Sequence, residues 1–236
     1  MQKADLLRIN QARRDRKAVA LVSDLAEGTS SVVVEGEMAG LSPERAEALA
    51  KAFRSGKSGT VDIGGKALFV NVHVPPARIV VIGAVHISQA LAAMAAIAGF
   101  DLSIIDPRTA FATEERFGGV DLVADWPEDV LRERPLDAYT ALVAVTHDPK
   151  IDDFPIISAL KTGCFYVGAL GSRKTHAKRV ERLLAAGISQ ARIDTISAPI
   201  GIDIGASSPE EIAVAILADI IRAFRKRDLG GAEAGR

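Results

Sequence analysis

From Arg78 onward the chain runs through five short apolar segments separated by stretches with helical patterning, and this alternation constrains the fold more than any other feature. The segments fall at 79–82, 102–105, 122–124, 141–145 and 165–167. Near-continuous apolarity means that both faces of each strand are covered, and strands alternating with helices build a parallel sheet between helical layers. The expected fold class is α/β, a Rossmann-like doubly wound parallel sheet with a smaller N-terminal α+β domain. The stretch 79–100 carries no charged residue, yet Gly83, His86, Ser88 and Gln89 interrupt it. Its β-branched first part and Ala-rich second part suit a buried strand, a turn and a helix better than a membrane span.

The part before this sheet reads as strands near 18–22 and 31–35, a helix over 42–54, and a hairpin. In the hairpin "TVDI" and "KALFVNV" flank Gly64 and Gly65, a pair that permits a tight turn with positive φ. Pro75 and Pro76 follow, removing backbone donors and stiffening the chain, which sets an expected domain boundary there. The domains expected are a small α+β unit over 1–76, a Rossmann-like unit over 77–227 and a disordered tail over 228–236. The last helix should open at Ser208-Pro209-Glu210-Glu211, where a serine cap, a proline at the first helical position and a glutamate three residues after the cap coincide.

Charge narrows the partners. With 29 basic and 30 acidic residues the formal net charge is -1, and no basic block is longer than a helix end, so nucleic acid is not expected. The opening "MQKADLLRINQARRDRKA" is charged throughout and does not read as a signal peptide, and Cys164 is the single cysteine, so a reducing cytoplasm is the expected location. Cys164 begins an apolar strand and reads as a small buried hydrophobe.

In doubly wound sheets ligands bind beyond the carboxyl ends of the strands. The turn "GAVHIS" after the first strand fills the dinucleotide fingerprint Gly-x-Gly-x-x-Gly with Gly83, Val85 and Ser88, so one glycine of three is present. Asp106, closing the second strand in "DPR" with Arg108, lies 23 positions after Gly83 (106 − 83), the offset of an acid that holds a ribose hydroxyl. The loop "THDPKIDD" crowds His147, Asp148, Lys150, Asp152 and Asp153 together without the regular spacing of a metal site; Asp152 reads equally as a helix cap. "GALGSRKT" places Gly168, Lys174 and Thr175 as in a phosphate loop but has Arg173 where the second glycine must stand, which speaks against a nucleotide hydrolase. Gly171 and Ser172 can still open a helix toward an anion. Gly201 and Gly205 bracket Asp203 just before the last helix, another glycine-rich approach to a helix N-terminus.

Taken together, "HDPKIDD", "YVGALGSRKTHAKR" and "PIGIDIGASSPEEIAVAILADII" resemble the signature segments of the XdhC/CoxI family of maturation factors for molybdenum hydroxylases. The resemblance extends from about Pro75 to Arg227. It implies a cytoplasmic chaperone, not a turnover enzyme, that binds the molybdenum cofactor (molybdopterin) while a cysteine desulfurase installs its terminal sulfur. The loaded cofactor is then delivered to a hydroxylase such as xanthine dehydrogenase; a homo-oligomer is also expected. The binding cleft would carry Gly83, Ala84, His86, Asp106, Arg108, His147, Asp148 and Lys150 on one side. Gly168, Gly171, Ser172, Arg173 and Lys174, with Gly201, Asp203 and Gly205, would form the other. No catalytic residue and no metal ligand is expected.

Two departures stand out. Val85 occupies the position where the family turn carries glycine, and "EGTSSVVVEG" stands in place of the family's Gly-Ser-[Ser/Ala]-Pro-Arg segment. A pterin carries a terminal phosphate and no bridged diphosphate, so Val85 is expected to hinder a dinucleotide more than a pterin. The alternative reading is an NAD(P)-dependent oxidoreductase in which Asp106 holds the ribose and His147 donates a proton. A third has the sheet serving only as a scaffold for a protein partner.

Overall fold

The computed structural model describes residues 2–226. The tail expected to be disordered at 228–236 lies outside them. The chain divides into two compact units, one running up to Pro75 and joined by Arg225 and Lys226, the other spanning Pro76–Phe224.

In the first unit β1 (Val19–Asp24), β2 (Thr29–Val34), β3 (Gly59–Ile63) and β4 (Lys66–His73) form an antiparallel sheet in the order β2-β1-β4-β3. The turn between β3 and β4 is the Gly64-Gly65 pair, with φ of 60° and 76°, a conformation a side chain would resist at both positions. Two helices cover the sheet. α1 (Lys3–Arg14) packs on β1 and β2, burying Ile9 and Ala12 against Val19, Val32 and Val34. α2 (Pro43–Ser55) packs on β3, β4 and β1, buries Leu49 and Phe53, and is capped by the Ser42 hydroxyl, which accepts from the Arg45 amide. α1 is not among the elements expected from the sequence. With two buried side chains in twelve residues, its apolar stripe is too thin to read as periodicity.

The second unit is built on β5 (Arg78–Ile82), β6 (Asp101–Ile105), β7 (Asp121–Val123), β8 (Thr140–Ala144) and β9 (Tyr166–Ala169), all parallel, in the order β7-β6-β5-β8-β9. Its helices are α3 (His86–Ile97), α4 (Glu114–Phe117), α5 (Pro127–Glu133), α6 (Pro149–Thr162), α7 (Arg173–Ala185), α8 (Gln190–Ile193) and α9 (Pro209–Lys226). Successive strand residues feed opposite cores. Ile79, Val81, Ile104 and Val143 face α3 and α9 through Leu91, Ile216 and Ile220, whereas Val80, Ile82, Ile105 and Leu142 face α6 and α7 through Ile156, Leu160 and Leu183. Burial of these two apolar cores is the main favourable contribution to the unit's folding.

Strand order turns back on itself at β5, since the chain builds outward through β6 and β7 and then returns to β8 on the other side. Ile82 pairs with both Ile105 and Ala144, so the carboxyl ends of the three central strands are level, and the turns that follow them converge. The uncharged stretch 79–100 becomes β5 and α3. Among the described residues no helix is long and apolar enough to cross a membrane.

Candidate functional site

At the end of β5, Gly83 has φ 122°, and a Cβ there would stand 2.9 Å from Thr146 Cγ2. Only glycine fits both the angle and the space. Val85, by contrast, caps α3 with φ -109° and ψ 174°, ordinary extended backbone, and its side chain packs on the core beneath α3. The conformation open only to glycine falls at Gly83 and not at Val85, the position where the family turn carries glycine. Ser88, in the third fingerprint position, is fully buried and its hydroxyl donates to the Gly83 carbonyl at 2.6 Å, tying the turn to the helix. α3 has no side-chain cap and His86, its first residue, is exposed.

At the end of β6, Asp106 is fully buried. Its Oδ2 accepts from the Ala84 amide at 2.7 Å and from Arg108 Nη2 at 2.7 Å, and its Oδ1 accepts from the Arg108 amide at 3.0 Å and Nε at 2.9 Å. Burial alone would raise the carboxyl's pKa, but these charge-assisted bonds outweigh it and hold the group below its ordinary value. Arg108 also stacks over Phe111, 4.6 Å from the ring centroid. The acid at the ribose offset is thus engaged four times by the protein itself.

At the end of β8 the chain enters α6 through a turn in which His147 takes φ 64° and is exposed. Asp148, not Asp152, caps α6: its carboxylate accepts from the Lys150 amide at 3.0 Å. The cap role open to Asp152 is thereby corrected. One turn further in, Asp152 is only 1% exposed, its Oδ1 accepting from the Thr146 hydroxyl at 2.7 Å and its Oδ2 without a partner. Burial pushes its pKa up to about 6. The Lys150 side chain points to solvent.

After β9, Gly171 with φ 134° leads to Ser172, which caps α7 by accepting from the Thr175 amide at 3.2 Å. Arg173 is exposed, while Lys174, Thr175, Lys178, Arg179 and Arg182 turn toward α6. Arg179 is 2% exposed; its Nη2 donates to the Leu170 carbonyl at 3.0 Å, leaving Nε and Nη1 buried without partners. Between α6 and α7 these side chains, with His147 and Asp152, line a cavity of about 360 Å³. Asp153 at its rim is held bidentately by Arg182 at 2.5 and 2.9 Å.

The structure therefore brings His147, Asp152 and Lys174 to one cavity, and gathers Gly83, Ala84, Asp106 and Arg108 in the neighbouring turns. Gly168 and Gly201 are occupied by packing. A Cβ on Gly168 would stand 2.7 Å from Ile200 and Tyr166, and one on Gly201 2.9 Å from the Ala215 backbone. Asp203 and Gly205 are exposed and bonded to each other at 3.2 Å. Sequence reasoning missed Thr146, Lys178, Arg179 and Arg182. The signal available was the i, i+4, i+8 spacing of Lys174, Lys178 and Arg182, which puts three cations on one face of α7. Cys164 precedes β9, at the sheet edge away from these turns, and burial pushes its thiol up to about 12. Among the described residues no group of three or more His, Cys, Asp or Glu side chains is placed to hold a metal ion.

Residues 79–220 match a model of the XdhC Rossmann domain. The chain belongs to the XdhC family. It is similar to a Bacillus subtilis (strain 168) protein named as a probable xanthine dehydrogenase subunit, 34% identical over 68% of this chain and 46% of that protein. It is also similar to the molybdenum cofactor insertion chaperone PaoD of Escherichia coli (strain K12), 29% identical over 65% of this chain and 43% of that one. A crystal structure described as a xanthine dehydrogenase from Bacillus halodurans matches with a TM-score of 0.61 at 25% identity, over 94% of this chain and 64% of that one. This XdhC-family chain spans less than half the length of these two curated relatives.

Proposed function

We propose that this XdhC-family chain is a non-catalytic maturation factor that binds the molybdenum cofactor and hands it to a molybdenum hydroxylase. Similarity to a chaperone of molybdenum cofactor insertion supports this reading. The observation that carries it is the state of the two turns beside the switch point. Asp106, the acid a dinucleotide would need, has its lone pairs filled by Arg108 and Ala84, whereas Arg179 and Asp152 face a cavity with hydrogen-bonding capacity unfilled. Such a site favours a compact ligand with an anionic end over an extended dinucleotide.

In this reading the turns after β5, β6 and β8 supply the wall against which the pterin lies, and α7 supplies positive charge. A cysteine desulfurase acts on the cofactor while it is held, and the client is a hydroxylase of the xanthine dehydrogenase type. Arg108 and His147 would orient the ligand; Cys164, half-buried just before β9 and away from these turns, is given no role in it.

The test is purification of the chain from a molybdate-supplied host, followed by oxidation of any bound pterin to its fluorescent products and mass spectrometry. Co-purifying pterin at a stoichiometric fraction of the protein is the expected result. A folded chain that emerges without pterin and takes up none from released cofactor would overturn the reading.

A further inference from the structure

Within the cavity between α6 and α7, the unfilled groups are chemically complementary to one kind of ligand. Arg179 is fixed by its bond to the Leu170 carbonyl, so Nε and Nη1 are held in place as donors with nothing to accept from them. Leaving such donors buried and unmade is costly, the more so for a charged group. Lys174 and Lys178 line the same cavity, and Asp153 is already neutralised by Arg182. Against these three cations stands one carboxylate, Asp152, with Oδ2 open. No hydrogen bond or ion pair joins Asp152 to Arg179. The balance calls for an anion that can also present, or receive, one proton at Asp152 Oδ2.

We propose that this cavity is an oxyanion subsite for a phosphate monoester, in which Arg179, Lys174 and Lys178 hold the charge and Asp152 shares a proton with one phosphate oxygen. A cavity of about 360 Å³ has room for a phosphate group and the first atoms of its ester. The α7 N-terminus adds its positive end beside Thr175. Identification of the monoester with the terminal phosphate of a pterin cofactor rests on the function proposed above; the subsite itself does not.

Proton sharing makes binding depend on pH. The groups facing Asp152 are Lys174, Lys178, Arg179 and Arg182 from α7 and Arg108 from the turn after β6. His147, Asp148 and Asp153 lie on its own loop and helix. With Asp152 ionising at about 6, the subsite is most receptive while the carboxyl keeps its proton and less so once it has lost it.

The experiment is equilibrium titration of the full chain with sulfate, inorganic phosphate and glycerol phosphate between about pH 5 and pH 8; the sulfate charge stays constant over that range, so any pH dependence belongs to the protein. Expected are binding of all three at pH 5 and a fall in sulfate affinity through about pH 6. Arg179→Gln should weaken each anion at least about tenfold, the loss expected for one or two charge-assisted bonds. Because Arg179 is buried, Lys178→Ala at an exposed position serves as the second variant and should weaken binding about threefold to tenfold. Asp152→Asn should remove the sulfate pH dependence. No anion binding in the wild type, or binding indifferent to Lys178→Ala, overturns the subsite. A pH dependence that survives Asp152→Asn overturns the proton-sharing role. Inorganic phosphate binding without glycerol phosphate binding makes this a free-phosphate site and overturns the monoester. If the anions bind as expected while no pterin co-purifies, the subsite stands and the cofactor reading falls.

Discussion

Arg108 clasps Asp106: two guanidinium nitrogens and one amide of the arginine reach the buried carboxylate at 2.7 to 3.0 Å, and the Ala84 amide completes the set. The Ala84 bond ties the turn after β6 to the turn after β5. Because Asp106 has a lowered pKa in the fold, it contributes stability above its unfolded pKa of about 3.8 that is lost as the pH falls through the lower folded value. Asp106→Asn strands Arg108 and should cost about 2 kcal/mol, below the roughly 3–5 kcal/mol of a fully buried broken pair because the Arg108 side chain is 32% exposed. Urea denaturation at pH 7 checks this. The difference between variant and wild type should shrink below about pH 3.8, where the unfolded carboxyl takes up a proton while the folded one still holds its charge. Calorimetric titration with NAD should show no binding by the wild type.

Gly83 and Val85 make opposite demands. Gly83→Ala puts a Cβ 2.9 Å from Thr146 Cγ2 at a φ of 122°, and should destabilise by about 2 to 4 kcal/mol. Val85→Gly restores the family residue where the backbone is already extended, so it removes packing and adds unfolded-state entropy, costing about 1 kcal/mol. Thermal denaturation of the two variants ranks them; equal losses would mean that the strained position has been misassigned.

Asp152 works against stability at neutral pH. Its folded pKa of about 6 lies above the ordinary 3.8, so the folded state holds the proton more tightly and stability declines as pH rises from about 4 to about 6. Asp152→Asn keeps an acceptor for the Thr146 hydroxyl and removes the buried charge. The variant should be more stable than wild type by about 2 to 3 kcal/mol above pH 7, with the advantage vanishing near pH 4. Denaturant midpoints at both pH values measure it.

Between Pro75 and Pro76 the chain first passes from one compact unit to the other, and it passes back after Phe224. We expect limited proteolysis to cut between Asn71 and Arg78, and residues 77–227 expressed alone to give a cooperative unfolding transition. Resistance of that segment together with failure of the isolated piece to fold would show that the units are interdependent.

The succession of strands and helices was legible in the sequence because period and apolarity are local properties. Five apolar runs between turn signals leave a parallel sheet as the economical fold, and Ser208-Pro209-Glu210-Glu211 carries its own cap, which the structure forms with the Glu211 amide donating to Ser208 at 3.2 Å. The Gly64-Gly65 turn was equally local. The composition of the site was another matter. Gly168 and Gly201 sit in glycine-rich segments, but what occupies their missing side chains is Ile200 and the backbone of α9, contacts set by tertiary packing. Arg179 reads in sequence as one more cation in a basic helix; only the docking of α7 onto the sheet buries it. Asp152 and Asp153 are adjacent in sequence with the same chemistry, yet one is sealed in with an unfilled oxygen and the other is matched to Arg182. Charge and helical spacing are written in the chain, whereas desolvation, which decides whether a charge is inert or poised, exists only once α6 and α7 have closed on each other.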